Sequence, residues 1–301
     1  MDPDAPARLA QGHVARLLAD PATRVVLVHR GLVAVTDSGG ALDLVGPESL
    51  PSQPPVPPFY LGRDADAAYL ACVLSDSPGD ERDFAERPSV SRAPGSLRSW
   101  ASLRAVGASL GDRDAGLAAS AVALAAWHAR HPRCPRCGEL TKVVQAGWAR
   151  RCPRDDTLHY PRTDPAVIVA VTDDGGRLLL AHAATWPERR FSLVAGYVEP
   201  GESLEAAVRR EVAEECGLRL GRLAYAGSQP WPFPASLMLA FRARASGGGL
   251  RVDNSEITEA MFVDRDALHA LVVSGDILLP PHSSIARALI EDWYGEPLPG
   301  E

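Results

Sequence analysis

Residues 196–218 read GYVEPGESLEAAVRREVAEECGL. Their composition is helical from Ser203 to Glu215, with apolar side chains at a spacing that predicts one buried helix face. These apolar positions are Leu204, Ala207, Val208 and Val212. Gly196 and Gly201 stand ahead of the helix, where glycine predicts tight turns. The stretch therefore predicts a glycine-containing loop that leads into an amphipathic helix.

Three glutamates of this helix share one of its faces. Glu211, Glu214 and Glu215 stand at i, i+3 and i+4, so their carboxylates lie side by side. Like charges so close destabilise a helix, and a hard divalent cation relieves the repulsion because Mg²⁺ and Mn²⁺ prefer carboxylate oxygens. A bare E-x-x-E-E pattern is more often solvated charge on an exposed helix. Here the glycines, Glu202 and Arg210 stand in register with it, which favours a metal site.

The whole stretch matches the Nudix box at each of its fixed positions. The chain therefore resembles Nudix hydrolases, which cleave pyrophosphate bonds in nucleoside diphosphate derivatives. The resemblance implies an α/β (α+β) fold class, with the Nudix α/β/α sandwich around the box. It also implies two or more catalytic Mg²⁺ or Mn²⁺ ions, held by Glu211, Glu215 and, in the later segment DNSE, Glu256.

The same resemblance implies roles in catalysis for residues of the box. Water attacks phosphorus in line, and either Glu215 or Glu214 takes its proton, two alternatives that the sequence leaves open. Glu211 takes part as a metal ligand. Arg210 pairs with Glu202 in the family pattern and thereby fixes the loop before the helix. Catalysis of this kind depends mainly on positioning and on neutralising phosphate charge.

A second motif follows at residues 228–236, which read SQPWPFPAS. By composition alone, such a string is a rigid loop or a polyproline ligand. Placed shortly after a complete Nudix box, it resembles the signature of the NADH pyrophosphatase family. That resemblance implies hydrolysis of NADH or NAD⁺ to nicotinamide mononucleotide and AMP. It also implies substrate contacts at a set of later positions, namely Gln229, Trp231, Ser236, Leu237, Met238 and Ala286.

Two tyrosines fall at positions where this family stacks aromatic rings on a base of the dinucleotide. They are Tyr160 and Tyr197, and the family often has phenylalanine at the second position, so stacking is retained there with an added hydroxyl. A lone tyrosine is usually a packing or surface residue. Both roles are therefore implied by the resemblance and not by the residues alone.

The chain has five cysteines, three of them clustered. Cys134 and Cys137 form a C-x-x-C pair, and Cys152 begins a second turn of the same spacing, which is typical of a zinc ribbon. The odd count does not suit a disulfide framework and favours a reducing cytoplasm, with one structural Zn²⁺ per chain. The family has a fourth cysteine where this chain has Asp155. Asp155 is the first choice as fourth ligand, His159 is the second, and loss of the zinc is a third alternative.

The 301 residues predict three parts. These are an N-terminal NADH pyrophosphatase-like, mixed α/β domain at 1–130, a zinc-ribbon motif at 131–160 and a Nudix hydrolase domain at 161–296. The first part has no catalytic constellation and is interpreted as a scaffold or dimerisation domain, so we expect a homodimer. No targeting signal and no apolar run of bilayer length are present, so no membrane partner is expected.

Shorter patterns predict individual elements. Two short strands broken by Gly31 are expected over 24–35, a strand over 68–74, a loop over 50–58, a helix over 112–131 and a β-hairpin from 166–171 and 177–181.

Alternative substrates remain open. The chain carries 31 basic and 38 acidic side chains, yet residues 131–162 hold seven Lys or Arg against three Asp or Glu. That local excess suits an RNA backbone, so a NAD-capped RNA 5′ end is the second candidate substrate. The solvated surface of a zinc ribbon is the simpler interpretation. ADP-ribose is a further alternative, against which the SQPWPFPAS motif argues. A non-catalytic sensor of NAD-like ligands is another, against which the intact glutamates argue.

Overall fold

The computed structural model describes residues 1–74, 90–92 and 98–300. The chain divides into two compact units. One comprises Met1–Arg162 with Pro232–Ala235, and the other comprises Thr163–Trp231 with Ser236–Glu301. Among the described residues, none of the helices combines the length and the apolar character that crossing a membrane requires.

The first unit contains two sheets. The bounds of its strands are Arg24–His29 (β1), Leu32–Val35 (β2), Phe59–Arg63 (β3), Ala68–Val73 (β4), Ser91–Arg92 (β5), Ser99–Ala101 (β6), Lys142–Val144 (β7), Ala149–Arg151 (β8) and Leu158–His159 (β9). Its helices are His13–Leu18 (α1), Leu103–Val106 (α2) and Asp112–Arg130 (α3), with short 3₁₀ helices at Ala5–Leu9, Pro47–Ser49 and Gln145–Gly147. The larger sheet has the order β3-β4-β1-β2-β6-β5, and β7-β8-β9 form the smaller one.

Most of the elements predicted for the first unit are present. Strands β1 and β2 pair antiparallel around a turn in which Arg30 and Gly31 both have positive φ, and β4 lies parallel to β1. The strands predicted over 24–35 and 68–74 are therefore confirmed. No helix or strand is assigned over 50–58, as predicted. Helix α3 ends at Arg130, two residues before Pro132, which cannot continue a helix.

A buried network of hydrogen bonds connects α3 to the smaller sheet within this unit. Arg150 of β8 donates through Nε to Thr141 Oγ1 at 2.7 Å and through Nη1 to His128 Nδ1 at 2.9 Å. His128 Nε2 in turn donates to the Gly147 carbonyl at 2.9 Å. Arg150 and His128 are 7% and 2% exposed. A buried cation next to an imidazole requires that imidazole to stay neutral.

The second unit is built on one mixed sheet. Its strands are Asp164–Thr172 (β10), Leu178–Ala183 (β11), Val194–Tyr197 (β12), Leu218–Trp231 (β13), Ser236–Gly248 (β14) and Ile257–Val263 (β15). Its helices are Leu204–Cys216 (α4), Arg265–Ser274 (α5) and Ile285–Tyr294 (α6). The strand order is β13-β14-β10-β11-β15, and β12 pairs with β10. The predicted hairpin is confirmed, because β10 and β11 are antiparallel around a turn that contains Gly176 at φ 76°.

The central strands are buried on both faces, because successive side chains of a strand point to opposite sides. Val167, Val169 and Val171 of β10 pack with the apolar stripe of α4. Ile168 and Ala170 of the same strand pack in a second cluster, to which α5 and α6 contribute. Helices therefore cover both sides of the sheet. The α/β/α sandwich expected from the sequence is confirmed.

Candidate active site

Helix α4 spans Leu204–Cys216, within one residue of the limits predicted at Ser203 and Glu215. Ser203 caps it, since its Oγ accepts a hydrogen bond from the Ala206 amide at 3.2 Å. Gly217 ends the helix in the left-handed conformation at φ 70°, where a side chain would be strained. Because both ends are fixed locally, the glutamates between them have defined positions on the helix surface.

The two glycines before the helix have different functions. Gly201 has φ 90° and forms the predicted turn. Gly196 instead lies inside strand β12, so the prediction of a turn at this position is wrong. A Cβ at residue 196 would lie 2.0 Å from Glu211 Oε1. Glycine stands at 196 because the Glu211 carboxylate packs directly on the strand backbone.

Arg210 uses all five of its N–H groups. It donates to both carboxylate oxygens of Glu202 and to the Tyr197 carbonyl, each at 2.9 Å. Its Nη1 also donates to Glu211 Oε1 at 2.9 Å and to Glu214 Oε2 at 3.1 Å. The predicted Arg210–Glu202 pair is confirmed, and the guanidinium also connects strand β12 to the helix. Hydrogen bonds from Arg210 lower the pKa of Glu202.

The three glutamates of α4 differ in exposure. Glu211 and Glu215 are buried, at 9% and 7% exposed. The side chain of Glu214 is 62% exposed and is held by Arg210. The i, i+3, i+4 spacing therefore gives two buried carboxylates and one at the solvent-exposed edge. Their environments differ because one edge of the helical face packs against the sheet and the other does not.

The buried pair of carboxylates suits a divalent cation. Burial, followed by the charges of Glu211 and Glu256, raises the pKa of Glu215 to about 8. Burial also raises the pKa of Glu211, against the effect of its hydrogen bond from Arg210. Glu215 Oε2 is buried and has no hydrogen-bond partner among the described residues. Carboxylate oxygens are the donors that Mg²⁺ and Mn²⁺ prefer, and this buried oxygen of Glu215 fits such an ion.

Glu256 lies in a tight turn before β15. The carboxylate of Asp253 accepts hydrogen bonds from the amides of Glu256 and Ile257 at 2.9 and 2.8 Å, and from the Ser255 hydroxyl. The Glu256 carbonyl accepts from the Ala184 amide at 2.9 Å. Asp253 thus fixes the backbone that carries Glu256. Sequence reasoning missed Asp253, although an aspartate that bonds backbone amides just ahead in its own turn is a known turn signal.

A cavity of about 390 Å³ brings the two motifs together within the second unit. Its lining includes Glu215 and Glu256 together with four residues expected to contact substrate, namely Gln229, Trp231, Met238 and Ala286. Thr185 and Trp186 also line it. They follow β11 outside any motif, so no sequence pattern marked them.

The remaining predicted contact residues lie outside that lining. Tyr197 is 53% exposed, and its hydroxyl is 3.3 Å from Ser236 Oγ. Leu237 is paired with Pro165 in the sheet. Tyr160 belongs to the first unit and is 60% exposed. The substrate roles of these residues stay predictions.

The predicted zinc ligands converge within the first unit. The ligand atoms of Cys134, Cys137, Cys152 and Asp155 all lie within 4.8 Å of one another. Sγ of Cys137 and Sγ of Cys152 are 3.5 Å apart, which suits two thiolates on one tetrahedral zinc with Zn–S distances of about 2.3 Å. His159 is outside that group as far as the described residues show, and its Nε2 is buried without a hydrogen-bond partner among them.

Three family models match the chain in succession. They are the NADH pyrophosphatase-like rudimentary NUDIX domain at residues 22–127, the NADH pyrophosphatase zinc ribbon domain at 129–160 and the NUDIX domain at 162–282. A solved NUDIX hydrolase from Nitrosomonas europaea is 22% identical, covering 55% of this chain and 94% of that one, with a TM-score of 0.39.

Two curated relatives show closer similarity in sequence. The NAD-capped RNA hydrolase NudC of Mycobacterium bovis (strain BCG / Pasteur 1173P2) is 44% identical over 64% of this chain and 64% of its own length. The NAD-capped RNA hydrolase NUDT12 of Homo sapiens is 38% identical over 61% of this chain and 42% of its own length. The match thus spans less than two thirds of either relative. The zinc-ribbon cysteines and the Nudix helix lie in the matched segments, so the chain carries in order an NADH pyrophosphatase-like rudimentary NUDIX domain, an NADH pyrophosphatase zinc ribbon and a NUDIX domain.

Proposed function

We propose that this protein hydrolyses the pyrophosphate bond of NADH or NAD⁺ and releases nicotinamide mononucleotide and AMP. The observation that carries the proposal is the shared cavity. It joins Glu215 of the Nudix helix and Glu256 to Gln229, Trp231 and Met238 of the SQPWPFPAS segment and its continuation. Carboxylates that suit a metal thus line the same cavity as the aromatic and apolar side chains that suit a base.

Glu211, Glu215 and Glu256 would hold two or more Mg²⁺ or Mn²⁺ ions, which supply positive charge for the pyrophosphate and lower the pKa of water. The protein's own residues fix the arrangement. Arg210 holds Glu211 and the loop of Glu202 in place. Asp253 fixes the backbone at Glu256.

Two carboxylates are candidates for the proton acceptor. Glu214 is mostly exposed and accepts a hydrogen bond from Arg210. Glu215 is buried, and its Oε2 has no hydrogen-bond partner among the described residues. A general base needs to be within hydrogen-bond reach of the water that it deprotonates. We propose that both residues belong to the catalytic set, and the pH profiles of their glutamine variants would distinguish their roles.

Recognition of the dinucleotide would use the remaining residues for which the family resemblance implies substrate contacts. We propose that Tyr160 and Tyr197 stack on a base, since both rings are more than half exposed and therefore accessible. Ser236 and Leu237 begin β14, and the hydroxyl of Tyr197 contacts Ser236 Oγ. Ala286 has a side chain small enough to leave space in the cavity that it lines.

Mass analysis of reaction products tests the proposal. The protein is incubated with Mg²⁺ or Mn²⁺ and, separately, with NADH, NAD⁺ and ADP-ribose. We expect nicotinamide mononucleotide and AMP from the first two, and slower hydrolysis of ADP-ribose. Hydrolysis of ADP-ribose alone would contradict the proposal and assign a different nucleoside diphosphate substrate.

NAD-capped RNA is the second candidate substrate, because both curated relatives are named for its hydrolysis. The basic excess of residues 131–162 supports it less than the sequence suggested. Arg150 is buried, while Arg136 and Arg151 lie 3.9 and 3.5 Å from aspartates 155 and 156. If the surface binds RNA, rising salt should slow cap removal far more than it slows NADH hydrolysis. Equal salt dependence would indicate that only the cap is bound.

We propose one structural zinc per chain, with Asp155 as its fourth ligand. The support is the convergence of four ligand atoms from two turns of equal spacing. The zinc would act in folding and would take no part in the reaction. Five free cysteines suit a reducing compartment, and we propose the cytoplasm.

We further propose a homodimer that forms through the N-terminal domain, with domain limits at 1–130, 131–160 and 161–296. The basis is that the N-terminal segment has no catalytic constellation of its own. Light scattering on the purified protein gives the oligomeric state directly. A mass of one chain at micromolar concentration would contradict the dimer.

A further inference from the structure

Gln229 has a hydrogen-bonding arrangement that a simple substrate contact does not require. Its Nε2 donates to the Ser283 carbonyl at 2.8 Å, and its Oε1 accepts from the Ile285 amide at 2.8 Å. One side-chain amide thus bonds two backbone groups that lie two residues apart. Both of these groups are more than 50 residues away along the chain.

The two backbone groups lie at the start of helix α6. The first amides of a helix have no carbonyl partner within it, so they need acceptors from elsewhere. Ser284 is the N-cap and accepts from the Ala286 amide at 3.1 Å. Gln229 Oε1 supplies the acceptor for the amide of Ile285, which precedes Ala286 in the chain. The start of α6 is therefore fixed by one local cap and one distant side chain.

This helix start forms part of the cavity lining. Ser284, Ile285 and Ala286 line the cavity, and so does Gln229 on β13. Ala286 is 3% exposed and packs in the core with Leu289 and Ile290 of the same helix. The hydrogen bonds of Gln229 to the backbone consequently fix the distance between β13 and the start of α6, the two parts of the lining that they join.

We propose that Gln229 is a positioning residue, which holds the start of α6 against β13 and thereby sets the width of the substrate cavity. This inference rests on the proposed hydrolysis of a dinucleotide. It changes the expected function of Gln229 from a contact with the substrate to a contact with the protein that shapes the site. Since the three carboxylates proposed to bind metal lie on other segments, removing the bond should weaken substrate binding more than it slows the chemical step.

The test uses three variants of the full chain. Gln229→Met keeps the length of the side chain and removes both hydrogen bonds. Gln229→Glu keeps an acceptor for Ile285 and removes the donor to Ser283. Gln53→Met makes the same chemical change at an exposed position of the loop over 50–58. Amide hydrogen exchange is measured without substrate, and kcat and KM are measured with NADH and Mg²⁺.

In Gln229→Met we expect amides 284–288 to exchange at least about tenfold faster, the factor for one lost hydrogen bond. KM for NADH should rise by about the same factor while kcat changes less than about threefold. In Gln229→Glu the acceptor for Ile285 remains but a carboxylate oxygen faces the Ser283 carbonyl, so exchange should again be faster than in the parent, and this variant serves as the test if Gln229→Met fails to fold. Gln53→Met should match the parent.

Unchanged exchange in the substrate-free Gln229 variants would overturn the proposal, and a raised KM would then indicate direct contact with substrate. If the parent does not hydrolyse NADH, the proposed function fails. The exchange measurement still decides whether Gln229 positions the helix, because it needs no substrate.

Discussion

The backbone of Gly196 lies so close to the side chain of Glu211 that a single methyl group at residue 196 would be 2.0 Å from the Glu211 carboxylate oxygen. No ordinary contact between heavy atoms is that short, so the glutamate would have to move. The strand and the carboxylate therefore determine each other's position.

Gly196→Ala should displace Glu211 and reduce turnover of NADH by at least about 100-fold, the scale of one essential electrostatic group. The affinity for Mn²⁺, measured by calorimetry, should decrease as well. Gly175→Ala is the matched control, since a Cβ there would be 3.4 Å from the nearest atom, in ordinary contact. Full activity of Gly196→Ala would show that Glu211 is not needed at its present position.

Glu215→Gln should reduce turnover by at least about 100-fold in the presence of Mg²⁺ or Mn²⁺, because the amide keeps the shape and loses the charge. Glu205→Gln on the exposed side of the same helix should keep parental turnover. Comparison with Glu214→Gln identifies the base. A pH profile of kcat that loses its acidic limb only in Glu214→Gln would assign the proton acceptor to Glu214.

Tyr160→Ala and Tyr197→Ala should each weaken NADH hydrolysis, by about 1–3 kcal/mol in kcat/KM if stacking has its usual value. The melting temperature should stay near that of the parent, because both side chains are largely exposed. Tyr197→Phe keeps the ring and removes the hydroxyl that contacts Ser236. It should retain most of the activity. Unchanged kinetics in both alanine variants would remove the tyrosines from the site.

Asp155→Ala should weaken zinc retention, which elemental analysis after dialysis against a chelator measures. His159→Ala should keep the zinc if Asp155 is the fourth ligand. The reverse result would assign His159, whose buried Nε2 has no hydrogen-bond partner among the described residues. Parent protein that is fully active and free of zinc would contradict a structural zinc altogether.

His128 should make the stability of the protein depend on pH. Burial and then the charge of Arg150 lower its pKa to about 4 in the folded state. The unfolded chain has a histidine pKa of about 6.5, so it takes up the proton first as the pH falls. The neutral form therefore stabilises the fold fully above about pH 6.5, and up to about 3 kcal/mol is lost as the pH falls toward 4.

Urea denaturation of the parent and of His128→Gln at pH 8 and pH 5.5 measures this effect. Carboxylates and zinc ligands titrate in both proteins. The difference between the two proteins in the loss of unfolding free energy from pH 8 to pH 5.5 therefore isolates the contribution of His128. The parent should lose more stability between the two pH values than the variant does. Equal losses would show that His128 is protonated without cost in the folded protein.

Much of the site was predictable from sequence because its central part is local. The spacing of Glu211, Glu214 and Glu215, the cap at Ser203 and the glycine at 217 all act within one helix. Helical periodicity and capping rules therefore suffice to define that helix. The hairpin of β10 and β11 was predictable for the same reason.

The features that sequence reasoning missed depend on tertiary contacts. Gly196 looked like a turn residue, because nothing local shows that a distant carboxylate packs on it. The bonds of Gln229 join positions more than 50 residues apart. Trp186 enters the cavity from a loop that has no motif. In each case the missing information is which segments the fold brings together.

The five hydrogen bonds of Arg210 have a consequence for how this site can change over time. Lysine would keep the positive charge but has only three donors on a single nitrogen, so it cannot replace the planar fork. Loss of Glu202 would in turn leave the guanidinium without its two-point partner. A single substitution at either position therefore leaves hydrogen-bonding groups of the other without their present partner. A tolerated change in the loop should thus require a matching change in the helix, so we expect the two positions to behave as one unit in double-mutant cycles.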